Sequence, residues 1–174
     1  QFSFLDFVPT TSPLRDTAVT VDEQFDFPET TSVLVKGELT QGSSGNAMLE
    51  SYQNAAALGG DVQTFEVAPG VELPAGTSVM FYLFQWLNPS GPSFDPELLN
   101  AAIAAGIGQN QMAPDDADLT SFYDAAYAKD PIAMATVLAS DYRSTVFNFQ
   151  TLAGESQAAE LAVDLNSAFA PMSG

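Results

Sequence analysis

Apolar residues recur along this chain at changing periods, and the changes of period mark its elements. Leu14, Ala18, Val21 and Phe25 stand at i, i+4, i+7 and i+11, which predicts an amphipathic helix. Ser12 and Pro13 supply its cap and first position, and Phe27-Pro28 ends it. Residues 1–13, Phe-rich and broken by Pro9 and Pro13, read as an extended lead-in. Residues 31–39 predict the first strand, where the consecutive Val33, Leu34 and Val35 suggest cover on both faces.

Residues 42–45 read as a turn. Ser44 then caps a helix carrying Met48, Leu49, Tyr52, Ala55 and Ala56, stopped by Gly59-Gly60. Residues 61–73 alternate loosely through Val62, Phe65, Val67 and Val71 and predict a strand with a turn at Pro69-Gly70. Residues 77–87 are far more apolar and read as a second strand or short buried segment. Asp95-Pro96 starts a helix through Leu98, Leu99, Ala102 and Ile103, which Gly106 and Gly108 end. Another helix opens within 114–118 and places Leu119, Phe122, Tyr123 and Ala126 on one face. Asp130-Pro131 caps a shorter one with Ala135 and Leu138. In residues 143–152 the period is 2: Thr145, Phe147, Phe149 and Thr151 share one face, and Ser144, Val146, Asn148 and Gln150 the other. A last helix after Gly154 carries Ala158, Leu161, Ala162, Leu165 and Phe169 until Pro171.

The order helix, strand, helix, strands, helical insertion, strand, helix predicts an α+β fold built on a split βαβ pattern. Two units are expected: a lead-in and first helix over 1–30, and an α/β domain over 31–174 with a helical insertion around 94–140. A final strand would complete the pattern. The chain opens at Gln1 without Met and stops at Gly174 before such a strand, so we expect an excised piece of something longer. No repeat of solenoid period is present.

The length, 174 residues, suits one ordinary domain, and 46% hydrophobic residues suffice for a real core. Charge changes the picture. Four Lys/Arg against 22 Asp/Glu leave a formal charge of −18. Such a surface repels itself unless salt screens it, which points to a halophilic, haloarchaeal-type source. An acidic extracellular protein of an ordinary host is the alternative. So few cations exclude a nucleic-acid phosphate surface. The chain has no His or Cys, which excludes Ser-His and Cys-His pairs, disulfides and conventional zinc sites. No apolar run reaches the roughly 18 residues of a membrane span.

Carboxylates are the only abundant reactive groups. Glu66, Glu72, Asp95 and Asp141 are candidates for a glycosidase pair, but their spacing singles out no two, and solvated surface acids are the plainer reading. Asp115, Asp116 and Asp118 suit helix capping better than a hard cation, since the rest of a calcium loop is missing. Gly106-Ile-Gly108 lacks the third glycine and preceding strand of a phosphate fingerprint. Lys36 reads as an edge-strand charge rather than a base of lowered pKa. The densest aromatic stretch, with Phe81, Tyr82, Phe84 and Trp86, reads either as core or as a greasy binding surface.

Several stretches together resemble RND-superfamily exporters of the MMPL type. Phe4-Leu-Asp-Phe-Val-Pro-Thr-Thr-Ser-Pro-Leu-Arg15 is similar to the lead-in that follows a transmembrane helix in that family. A helix ending in Phe25 comes next, then a strand like Thr31-Ser-Val-Leu-Val-Lys-Gly37. Further on stand a segment like Leu138-Ala-Ser-Asp-Tyr-Arg-Ser-Thr-Val-Phe147 and a helix over 155–169. The resemblance covers both ends of the chain and is patchy between 60 and 115.

What it implies is a non-enzymatic porter domain: a ferredoxin-like α/β sandwich with a helical insertion, lacking its last strand. It would lie on the extracytoplasmic face of the cell membrane, as the substrate-binding loop of a proton- or ion-driven exporter of lipids or hydrophobic solutes. The family's proton-relay carboxylates lie in membrane helices, none of which this chain contains, so no catalytic or coupling residue carries over. The expected partners are a hydrophobic small molecule or lipid, the rest of the same membrane protein and a second copy. No cofactor or metal is expected. Phe81, Phe84, Trp86, Phe147 and Phe149 are the candidate substrate-binding residues. A capsid or surface-shell protein of a halophile or its virus is the competing reading, and would require a two-sheet β-architecture. A carboxylate hydrolase is the third.

Overall fold

The structure is a computed structural model that describes residues 29–68, 70–108, 111–152 and 157–173. In chain order its elements are β1 (Glu29–Lys36), α1 (Gly42–Ala56), β2 (Thr64–Ala68), β3 (Val71–Pro74), β4 (Gly76–Thr77), α2 (Val79–Leu87), α3 (Pro96–Ala104), α4 (Thr120–Lys129), α5 (Pro131–Val137), β5 (Ser144–Thr151) and α6 (Ala158–Ala168). The fold is α+β, with six α-helices and two small antiparallel sheets among the described residues. These residues form no eight-stranded two-sheet sandwich. The lead-in and first helix expected within 1–28 lie outside them, as do Pro69 and Gly154.

The alternation in β5 has the consequence expected of it. Thr145, Phe147, Phe149 and Thr151 are buried, while Ser144, Val146, Asn148 and Gln150 are half-buried or exposed. β5 is the central strand of the order β1-β5-β4 and runs antiparallel to both neighbours, so β1 and β4 are parallel to each other with β5 between them. The β2–β3 hairpin stands on the same strand. Gln63 N donates to Gln150 O at 2.9 Å, and Gln150 N donates to Ala75 O at 2.8 Å. Gly76 permits this approach. It has φ +133°, and a Cβ there would lie 1.9 Å from the Asn148 carbonyl oxygen.

The inner face of the sheet packs on α1 and the segment after α6. Tyr52 of α1 lies against Phe147 and Phe149 at ring-centroid distances of 6.3 and 6.5 Å, and Phe169 meets Phe147 edge-on at 4.8 Å. Fully burying each such side chain contributes about 1.5–3 kcal/mol.

Four expectations are corrected. Residues 77–87 are not a second strand: 79–87 form helix α2, with only Gly76 and Thr77 paired in β4. Ser78 is the N-cap, its Oγ accepting from Phe81 N at 3.0 Å. The run is apolar nearly all round, which hid a helical period that burial reveals at Val79, Met80, Leu83 and Trp86. Strand β1 is covered on one face only; Leu34 points outward and is 56% exposed. Residues 42–45 are the first turn of α1 rather than a separate turn, and Ser44 is not its cap, because its Oγ donates to Glu38 O at 2.7 Å. Ala135 and Ala162, placed on apolar helix faces by their spacing, are exposed, while Met134, Val137 and Ala168 are buried.

Several stop and start signals act as read. Asp95 Oδ1 accepts from Glu97 N and Leu98 N at the start of α3. Asp130 Oδ1 accepts from Ala133 N at the start of α5. Gly106, at φ +79°, terminates α3 by donating its N–H to Ile103 O.

Candidate functional site

The helical insertion packs back against α1 and, with α2, lines a partly open apolar cavity of about 60 Å³. Its walls come from four separate stretches: Gly45 and Leu49 of α1, Met80, Leu83, Phe84 and Leu87 of α2, Ile107, Gln111 and Ala113 of the connection, and Leu119, Phe122 and Tyr123 at the start of α4. α2 supplies its share because residues three and four apart share a helix face. Leu49, Met80, Leu83, Leu119, Phe122 and Tyr123 are themselves buried, so the cavity is walled by core side chains.

The cavity is less than half the roughly 150 Å³ that admits benzene in an apolar site. Its volume suits the end of a hydrocarbon chain better than a ring.

One polar side chain at the cavity is already engaged. The Asn46 amide clasps the connection: Nδ2 donates to Ala113 O at 2.8 Å and to Asp115 Oδ1 at 3.1 Å, while Oδ1 accepts from Ala113 N at 2.9 Å. Two backbone bonds from the start of α1 reinforce it, Gly42 N to Ala117 O and Ser43 N to Asp115 O. A Cβ on Gly42 would lie 1.8 Å from Pro114 O, so only glycine permits this contact. Gln111, exposed at the mouth, holds a left-handed φ of 64°, uncommon for a residue with a side chain.

Beside the cavity lies an open polar depression lined by Thr40, Gln41, Asp115, Asp116, Asp118 and Thr120. Hydrogen bonds from Thr120, side chain then backbone, hold the Asp118 carboxyl below the usual range. No group of three or more acidic, His or Cys side chains among the described residues is arranged to hold a metal ion.

The five aromatic candidates separate in space. Phe84 lines the cavity and also stacks on Tyr52 at 6.3 Å. Phe81 packs edge-on against Phe65 and Tyr82, and Trp86 is buried and stacked on Tyr82 at 5.4 Å. Phe147 and Phe149 are buried in the core beneath Tyr52. Met80, Leu83 and Leu87 were missed as lining residues, although their i, i+3, i+7 spacing carried the signal. Nothing in the sequence marked Asn46.

The carboxylates considered for hydrolysis hold local structure. Glu66 Oε1 accepts from Gly70 N, Glu72 Oε2 from the Thr64 hydroxyl, and Asp141 Oδ1 from Arg143 N. Asp95 caps α3 and pairs with Lys129 at 3.1 Å. Its carboxyl lies below the usual range, first through the Leu98 backbone bond and then through Lys129. Lys36 stands exposed on edge strand β1. Desolvation raises the phenol pKa of Tyr52 and Tyr123, and raises that of Tyr142 to about 12, where an Asp124 hydrogen bond adds to it.

No family model matches the chain, and no curated protein or solved structure matches it. No helix among the described residues is long and apolar enough to cross a membrane.

Proposed function

We propose that this chain is the extracytoplasmic, substrate-binding domain of an ion-driven RND/MMPL-type membrane exporter, and that it receives the apolar part of a lipid or hydrophobic solute. The observation that carries the reading is the apolar cavity between α1, α2 and α4, walled by Leu49, Met80, Leu83, Phe84, Leu119 and Phe122. Desolvation of a hydrocarbon group favours its entry into such a site, which needs few polar anchors. The absent membrane helices would convert an ion gradient into motion, and the domain would alternate between packings that open and close the cavity.

The ferredoxin-like topology belongs to the same proposal. Its support is the course β1–α1–β4 with β5 inserted between the two parallel strands, followed by α6. A split βαβ unit interrupted by the β2–β3 hairpin and a helical insertion would follow this course.

Fractionation of producing cells with an antibody against this domain tests the reading. The expected result is a band in the washed membrane fraction that protease removes from intact, wall-stripped cells. A band confined to the soluble fraction, or to shed particles, contradicts it and favours the shell-protein alternative.

A further inference from the structure

Chemistry inside the cavity narrows the class of molecule it receives, on the reading of the cavity as the ligand site of the proposed function. Tyr123 of α4 lines it and is only 1% exposed. Its ring is held against Phe122 and Tyr142, at centroid distances of 5.8 and 5.6 Å. Its hydroxyl lies 4.0 Å from the position a Cβ on Gly45 would take, and Gly45 is itself a wall residue. The phenol oxygen therefore stands at the cavity wall, and it has no hydrogen-bond partner among the described residues. It is not sealed either: the side-chain polar atom that is both sealed and unpartnered among the described residues is Ser51 Oγ. Tyr52 shows the contrast, its hydroxyl being spent on Pro74 O at 3.0 Å.

The rest of the polar lining is uncharged. Asn46 spends its amide on Ala113 and Asp115, and Gln111 stands exposed at the mouth. No Lys, Arg, Asp or Glu is among the described residues that line the cavity. A charged group would enter without a counter-charge, at a desolvation cost well above that of a neutral one. Burial raises the Tyr123 phenol pKa, so the hydroxyl stays protonated and can donate. Water is a poor occupant beside it, because an ordered water needs about two to four polar partners and the adjoining side chains of Leu119 and Phe122 supply none.

We infer that the cavity selects an uncharged molecule carrying a carbonyl or ether oxygen on a short unbranched hydrocarbon, and that this oxygen accepts a hydrogen bond from the Tyr123 hydroxyl. The apolar walls take up the hydrocarbon, and the phenol fixes how far the chain enters.

The test titrates 2-pentanone, n-pentane and pentanoate into the native protein and the Tyr123→Phe variant. Methyl NMR shifts at Met80, Leu83 and Leu119 report occupancy. Tyr123→Phe should weaken 2-pentanone about tenfold and leave n-pentane within about twofold of its native affinity. Pentanoate should bind the native protein at least about tenfold more weakly than 2-pentanone. Without ligand, Tyr123→Phe should resist urea at least as well as the native protein, because the hydroxyl it removes leaves no partner stranded. An equal effect of the variant on 2-pentanone and n-pentane, or no effect on either, overturns the inference while leaving the apolar site standing. So does pentanoate binding as tightly as 2-pentanone, or a loss of stability in the ligand-free variant, which would reveal a protein partner for the hydroxyl. Absence of binding by all three removes the ligand site itself, and this inference with it.

Discussion

The Tyr52 hydroxyl donates a 3.0 Å hydrogen bond to the Pro74 carbonyl at a point where both residues are buried. This bond ties the middle of α1 to the end of β3, while the Tyr52 ring touches Phe84, Phe147 and Phe149. One side chain thus joins the sheet, the hairpin and the helix that walls the cavity. Tyr52→Phe keeps the ring and leaves the Pro74 oxygen without its donor. The expected cost is about 1–3 kcal/mol. Urea unfolding should show a lower midpoint with an unchanged slope.

Asp95 joins two helices, capping α3 and meeting Lys129 at the end of α4. Its carboxyl pKa is lowered in the folded state, so its contribution is present above the ordinary carboxylate range and is lost as pH falls through the lower folded value. Asp95→Ala should cost about 1 kcal/mol at neutral pH, as loss of an N-cap does. The gap between the two proteins should close when thermal melts are repeated at successively lower pH below about 4.

Asp95 also shows where the sequence was legible. Asp95-Pro96 and Asp130-Pro131 announced helix starts because capping chemistry is local. The period of β5 was plain because one of its faces is buried and the other is not. Helix α2 was not legible as a helix, since Val79 to Leu87 is apolar apart from Gln85 and such a run has little contrast from which to read a period. The candidate site was legible only at Phe84. Its other walls converge from Gly45 and Leu49, from Met80, Leu83 and Leu87, from Ile107, Gln111 and Ala113, and from Leu119, Phe122 and Tyr123, and their meeting is a property of tertiary packing. Asn46 acts through backbone atoms of Ala113, which no side-chain pattern encodes.

Glu66 stands directly opposite Glu72 in the β2–β3 register, and each carboxylate turns to its own donor, Gly70 N or the Thr64 hydroxyl. Like charges facing one another across a pair of strands are destabilising, and salt screens them. With a formal charge of −18 on the whole chain, the melting temperature should climb by at least about 5 °C between about 0.1 and 3 M KCl. Glu72→Gln should raise it at the low-salt end and lessen its dependence on salt. A flat response from the native protein would contradict a high-salt adaptation.

Gly45 lies in α1 at the cavity wall, where an added Cβ would come within 2.7 Å of Leu119 Cδ1. Leu119 Cδ1 is the far end of a flexible side chain, and the cavity is the free space beside it. Gly45→Ala should therefore gain up to about 1 kcal/mol in helix propensity and fill the cavity by displacing Leu119 into it.

The most direct measurement is a pair of crystal structures, native protein and the Gly45→Ala variant, each soaked in 1-hexanol. The account predicts a hydrocarbon chain between Leu83, Phe84, Leu119 and Phe122 in the native protein and none there in the variant. Ordered water in that space, or an alcohol bound equally in both proteins, would contradict it.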